Sequence, residues 1–448
     1  MAAAPTGACI WHDLPPELRL SIIDALDDDD ARALSFTDKD TYSLCIPSIF
    51  KVHKVVKLDT QFALDQFLLN VPSERMQHIR TLDIAPIHDQ DAFTIPLSGP
   101  YTDAVGKLLR QCPRVETLTL RAAGCLSKDI IPCFAALDAL KHLTLNNVRN
   151  YTRAPLSERV VVSIAATAPH LQYLALDTVT RSRQHAPELV GAWPYVPVVT
   201  GDHDVPPHPA LGEDLFLPNL LRLPGLRRLT VRDTHLGDPR WATTPPACQL
   251  EMLDLSAPPD CAPSNRDVER IMAAVGPTVA EFSLTTAVCE PRFAEKDTPL
   301  RRLRRLHIAP TFPVESVVDT VAGLAGSPIE DLSLRCHEDD VVDVCEALHD
   351  FLSMRAERGS GFYDSLQRID VSVAPSEDDA AAAADEDEVR ERIEATEKLQ
   401  AFCRQLRLDA MVAKIDVKER KDKRGRARSA TTFSIVDPSA YARRRMSV

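Results

Sequence analysis

Aromatic residues make up only 5% of this 448-residue chain, so any core must be built from Leu, Val, Ile and Ala. Its eleven cysteines include no CxxC pair and no Cys/His set at zinc-ligand spacing. An odd, unpatterned set of this kind reads as reduced thiols of the cytosol or nucleus. No apolar run approaches the length that spans a bilayer. The first residues, MAAAPTGACIWHDLPPEL, lack the basic and apolar regions of a signal peptide. The sequon Asn150-Tyr151-Thr152 is therefore expected to stay unmodified. Basic residues are outnumbered, and a net charge of −13 argues against a partner held through phosphates.

Catalytic signatures are missing as well. There is no Gly-rich phosphate loop, no GxSxG elbow and no HExxH pair. His203, Asp204 and His208 lie close in sequence, but in a proline-rich stretch where such residues read as merely exposed. Cys336-His337-Glu338-Asp339-Asp340 gathers ligand types, yet adjacent residues cannot all point inward, and the run reads as a strand exit. The expectation is a protein without catalysis, cofactor or metal.

What the chain does contain is a repeat. Hydrophobic residues at 44% and charged residues at 26% suit a globular protein of up to three domains, or one long solenoid. The pattern apolar, two residues, apolar, one residue, apolar recurs ten times. It reads Ile79-Leu82-Ile84, Val115-Leu118-Leu120, Leu140-Leu143-Leu145 and Leu171-Leu174-Leu176, then Leu226-Leu229-Val231, Leu250-Leu253-Leu255 and Val279-Phe282-Leu284. Leu303-Leu306-Ile308, Ile329-Leu332-Leu334 and Leu366-Ile369-Val371 complete the set. The last two apolar positions are two apart, so they share one face of a short strand. Helical stretches at 103–113, 158–169, 267–277 and 314–326 separate many of them, several ending in Gly or Pro.

Strand and helix alternating at roughly 24 to 37 residues resembles a leucine-rich repeat. One such unit cannot bury its apolar face alone, whereas stacked neighbours share a continuous core. A doubly wound α/β domain also alternates strands with helices, but its strands usually read as unbroken Val/Ile runs. The repeats depart from the family pattern in one respect. The consensus Asn or Cys three residues past the last leucine is replaced by Val148, Val179, Thr234, Thr311 and His337. The turns must be closed in another way. Between 177 and 225 the period fails amid eight prolines, and a long loop projecting from the solenoid, without order of its own, is expected there.

Ahead of the repeats, residues 12–58 carry helical stripes. Pro15 and Pro16 suit a first helical turn, and Leu18, Ile22, Ile23 and Leu26 follow at helical spacing. Asp27 to Asp30 form a solvated turn able to cap the helix that contains Leu34. With Leu14-Pro15 and Glu17-Leu18 at its start, this segment resembles the F-box, a three-helix motif that docks on the Skp-type adaptor of cullin–RING ubiquitin ligases. Phe50 sits near the late tryptophan that many members carry. The resemblance implies an adaptor-binding surface of Leu14, Pro15, Pro16, Leu18, Ile22, Ile23, Leu26 and Leu34. The other reading is a helix pair that only caps the first repeat.

The sequence thus divides into a disordered 1–11, an F-box-like module at 12–58, an irregular α/β leucine-rich-repeat solenoid at 59–375, and a C-terminal region at 376–448. That last region reads as an acidic linker, an amphipathic helix along Val389, Ile393, Thr396, Leu399, Phe402 and Leu406, a basic hairpin and a tail. The basic run from Lys418 to Arg428 reads as a hairpin turn or a nuclear localisation signal. The family resemblance implies a substrate-recognition subunit of a ubiquitin ligase in the cytoplasm or nucleus, its module binding the Skp-type adaptor and, through it, a cullin. A scaffold with a degenerate F-box is the alternative. An unidentified target protein would meet the outward residues of the strands, among them Arg121, Tyr173, Arg228, Arg232, Arg305, His307 and Arg335. Acids of the same face are expected to neutralise many of these cations.

Overall fold

The computed structural model describes residues 10–51, 55–85, 98–121, 123–147, 154–191, 197–256, 265–284, 300–310, 312–337, 340–359 and 362–373. It also describes 394 and 397 and the backbone of 412–421 and 427–436. The expected disordered start up to residue 9, the acidic linker, nearly all of the amphipathic helix and the basic turn at 422–426 lie outside the described residues.

Three helices come first: α1 (Pro16–Ala25), α2 (Asp28–Ser35) and α3 (Lys39–Lys51). Pro15 occupies the cap of α1 and Pro16 its first turn, where a missing N–H costs nothing. The Asp27 side chain accepts from the N–H of Asp30 at 2.8 Å and caps α2. The acidic run is therefore mostly the first turn of α2 rather than a free turn, placed where the helix dipole favours carboxylates. Asp38 caps α3 by accepting from the Thr41 N–H at 2.8 Å, and the Trp11 indole donates to Thr41 Oγ1 at 2.7 Å. Ile23, Ala31 and Cys45 form the buried centre of this small bundle.

The sheet begins earlier than the sequence suggested. β1 (Val55–Leu58) is followed by α4 (Gln61–Asn70), α5 (Ser73–Met76), β2 (Thr81–Ile84), α6 (Ser98–Gln111), β3 (Thr117–Arg121) and β4 (His142–Asn146). Then come β5 (Leu156–Ser157), α7 (Glu158–Thr167), β6 (Tyr173–Asp177), β7 (Val179–Ser182), β8 (Val198–Val199), β9 (Arg228–Arg232) and β10 (Met252–Ser256). The remainder is α8 (Asn265–Val275), β11 (Glu281–Leu284), β12 (Arg305–Ile308), α9 (Val317–Gly323), β13 (Asp331–Cys336), α10 (Val341–Arg358), β14 (Arg368–Val373), β15 (Val412–Lys421) and β16 (Ala427–Val436). Val56 and Leu58 of β1 pair in register with Leu82 and Ile84. Residues 55–58 thus belong to the sheet, not to the helical module. The spacing hid this strand because its first apolar position is His53.

Eleven parallel strands run β1-β2-β3-β4-β6-β9-β10-β11-β12-β13-β14, and β16 and β15 extend the sheet antiparallel beyond β14. Register follows the leucines. Leu82, Leu118, Leu143, Leu174, Leu229, Leu253, Phe282, Leu306, Leu332 and Ile369 lie side by side across the sheet, all nearly inaccessible to solvent. One-residue slips would turn every one of them to the other face, so this row fixes the pairing. Parallel strands in chain order, most of them separated by a described helix or 3-10 helix, are the arrangement expected of a leucine-rich-repeat solenoid.

The turns are closed by other residues, as the broken consensus required. Asn147, buried one position before Val148, accepts the Gly124 N–H at 3.0 Å and donates to the Ala154 carbonyl at 2.9 Å. Thr234 does stand at a consensus position. Its hydroxyl accepts from the Val179 N–H at 3.1 Å and donates to the Arg232 carbonyl at 2.7 Å.

The proline-rich segment is not a projecting loop. β5, β7 and β8 form a second, three-stranded sheet, and the 3-10 helix Leu217–Arg222 returns the chain to the main one. Val205, Leu211, Leu215, Leu217, Leu220 and Leu221 join the core, so the prolines punctuate a segment that still carries apolar anchors. Its centre is polar. Glu158, in the first turn of α7, accepts from the Ser182 N–H at 2.8 Å, the Leu217 N–H at 3.4 Å and Arg181 Nε at 3.1 Å. Arg181 also reaches Asp238 at 2.7 Å, and His185 Nδ1 lies 3.1 Å from Glu158. Burial pushes the Glu158 carboxyl up, but His185, Arg181 and the Ser182 N–H together hold it below its usual value. Arg159 and Asp202 extend the network through Ser157 and Ser182. One carboxylate at a helix start staples the insertion to the solenoid.

Candidate functional site

Alternation along the strands presents three rows to solvent, two residues apart. The first runs Thr117, His142, Tyr173, Arg228, Met252, Glu281, Arg305, Asp331, Arg368. The second is small and polar through its middle: Thr119, Thr144, Ala175, Thr230. The third carries Arg121, Asn146, Asp177, Arg232.

Most of the cations are neutralised within the face. Arg121 makes a two-pronged contact with Asp83 at 3.1 and 3.0 Å. Arg232 meets Asp254 at 3.0 Å, Arg305 meets Glu281 at 3.0 Å, and Arg368 meets Asp370 at 2.6 Å. His307 lies 3.1 Å from the same Glu281. Each pair is partly solvated, so each contributes little to stability, but each removes an arginine from recognition. Among the described residues, Arg228 and Arg335 have no carboxylate within ion-pair distance.

Arg228 instead lies on an aromatic stack. His142 and Tyr173 are parallel with ring centroids 4.1 Å apart, and the Arg228 guanidinium sits 5.2 Å over the Tyr173 ring. Register explains the stack, because these residues are lateral neighbours on β4, β6 and β9. Burial lowers the His142 pKa, and its Nδ1 is buried without a partner among the described residues. Of the strand residues singled out from the sequence, the structure brings Tyr173 and Arg228 together, while Arg121 and Arg232, Arg305 with His307, and Arg335 lie apart from them. His142 completes the cluster. The alternation that places Tyr173 and Arg228 outward places His142 on the same face.

On the helical module, Pro15, Pro16, Leu18 and Ile22 are exposed, with Leu18 at 52% and Ile22 at 40%. Leu14, Leu26 and Leu34 are half-buried. Ile23 is buried in the centre of the bundle and cannot form part of a contact surface; its neighbour Ile22 takes the outward position. Phe36, directly after α2, is 84% exposed and was not anticipated, although a lone Phe at a helix exit between Ser35 and Thr37 is a readable signal.

Among the described residues no group of three His, Cys, Asp or Glu side chains could hold a metal. Asp204 is engaged by Lys128, and His208 Nδ1 accepts from the Ala210 N–H. Burial pushes the thiols of Cys112 and Cys336 up to about 12, far from nucleophilic use. No described helix is long and apolar enough to cross a membrane.

No protein-family profile and no curated protein matches the chain. Among solved structures, the leucine-rich repeat-containing protein LegL7 from Legionella pneumophila is similar at 14% identity. The match covers 69% of this chain and 95% of that one, with a TM-score of 0.39. The fold is read from the strand register, independently of that likeness.

Proposed function

We propose that this protein is a non-catalytic substrate-recognition subunit of a Skp–cullin–F-box ubiquitin ligase, acting in the cytoplasm or nucleus. In this reading α1–α3 dock on the Skp-type adaptor and the strand face selects a target protein. The observation that carries it is the exposed pair Leu18 and Ile22, one turn apart on α1 beside Pro15, ahead of a solenoid. Apolar side chains at this spacing share one helix face and suit a helix-in-groove contact. Such anchors dominate binding energy, on the order of 2 kcal/mol or more when truncated.

The test is co-purification with a Skp-type adaptor and cullin. The wild-type chain should bind, and Leu18→Ala with Ile22→Ala should weaken binding at least about thirtyfold. Both residues are exposed, so the repeats should keep their thermal midpoint. Wild-type binding by the double variant, or no binding by the wild type, would leave α1–α3 as a cap and the protein as a scaffold.

A further inference from the structure

We propose that the His142–Tyr173–Arg228 stack is an anchoring subsite for an extended, acidic segment of a partner protein, with one carboxylate of that segment paired to Arg228. The proposal rests on reading the strand face as the target-selecting surface, and it names the chemistry selected there.

Charge is the first argument. Four arginines of the face are matched by carboxylates of the same face, whereas the lateral neighbours of Arg228 are Tyr173 and Met252. Arg228 packs over the Tyr173 ring, and among the described residues its guanidinium N–H donors meet no hydrogen-bond acceptor. Those donors match a carboxylate, and the contact with the ring restricts the side chain before any partner arrives.

Shape is the second. His142, Tyr173 and Arg228 form one wall, and Asn146, Asp177 and Arg232 form the other. Thr144, Ala175 and Thr230 floor the trough between them. The walls stand two strand repeats apart, about 13 Å, which admits an extended chain running across the strands. Ala175 at the centre leaves room for one small apolar side chain. Asn146 donates to Asp177 at 3.1 Å and Arg232 is held by Asp254, so the far wall is already satisfied internally.

That this trough holds one unmatched cation, with Arg335 lying apart from it, also decides against phosphate. A phosphoryl dianion is held by clustered arginines. Here it would meet one, with the Asp177 carboxyl on the opposite wall.

Surface-bound pools of nine-residue peptides test this, with the centre fixed as Glu, Gln or phosphoserine and the flanks randomised. The full-length chain should be retained about tenfold better by the Glu pool than by the Gln pool. Arg228→Gln should erase that preference, and Tyr173→Leu should reduce it. Arg335→Gln, an exposed arginine of the same face, should leave it unchanged and controls for general charge. Equal retention by the Glu and Gln pools overturns the proposal. So does a preference that survives Arg228→Gln, one that vanishes in Arg335→Gln, or stronger retention by the phosphoserine pool. The pools are read without adaptor or cullin, so a failed adaptor co-purification sinks the ligase reading and leaves this result standing.

Discussion

Arg181→Met isolates the staple that holds the insertion. Arg181 is 2% exposed and lies 3.0 Å from Glu158 and 2.7 Å from Asp238, themselves almost wholly buried. Methionine fills much of the same volume but supplies no charge and no donor. Two carboxylates then face one another out of reach of water, the arrangement in which removing one partner of a buried pair costs about 3–5 kcal/mol. Each 1.4 kcal/mol is tenfold in an equilibrium, so local opening should become about 100- to 3000-fold more frequent. The effect should stay local, because repeats of a solenoid couple chiefly to their neighbours. Hydrogen exchange resolved by peptide is the assay. Amides of residues 179–191 and 197–222 should lose protection on that scale, while those of β12 to β14 keep theirs. A loss below tenfold in the insertion would refute the view that this cluster anchors it. Equal loss across the whole sheet would refute the locality. Arg181→Lys keeps a charge but cannot fork between two carboxylates, and should fall between wild type and Arg181→Met.

The same carboxylate sets an acid limit. Glu158 sits below its ordinary value of 4.5, so its contribution is complete above that pH and is lost as pH falls through the lowered value; urea midpoints measured from pH 7 down to 3 should drop in that window, and less steeply in Arg181→Met. Asn147→Ala should cost about 1–3 kcal/mol for each backbone group it strands, the Gly124 N–H and the Ala154 carbonyl, read by urea unfolding. Gly124→Ala should cost about as much by crowding, since a Cβ there would meet the Ala154 carbonyl oxygen and the Asn147 amide.

The sheet was legible because the signal is redundant. Ten strands each place two leucine-like residues on one face, and a shared core demands the same register of all of them. β1 escaped notice because His53 replaces the first apolar member, although Val56 and Leu58 satisfy the other two. The insertion was misread for a different reason. Proline density signals lost ladder hydrogen bonds, but Glu158, Arg181 and Asp238 replace them from positions 23 and 57 residues apart. No local pattern exposes a pairing at that distance. At the strand face, periodicity identified Tyr173 and Arg228 as outward residues. It could not say which arginines would find acids, because that depends on lateral register and side-chain reach between neighbouring strands, or along one strand as at Arg368 and Asp370. The module's outward residues followed from helical spacing, and the error at Ile23 is of the kind spacing permits, one position around the helix.

The reversal of direction at β16 has a consequence for growth. A parallel array has no natural length, since each strand offers its successor the same evenly spaced, slanted donors and acceptors that it received. β16 answers β14 in the opposite sense, so β14 is paired parallel on one side and antiparallel on the other, and β15 is the outer strand. The pair β16–β15 therefore covers the hydrogen-bonding edge that β14 would otherwise offer to another strand.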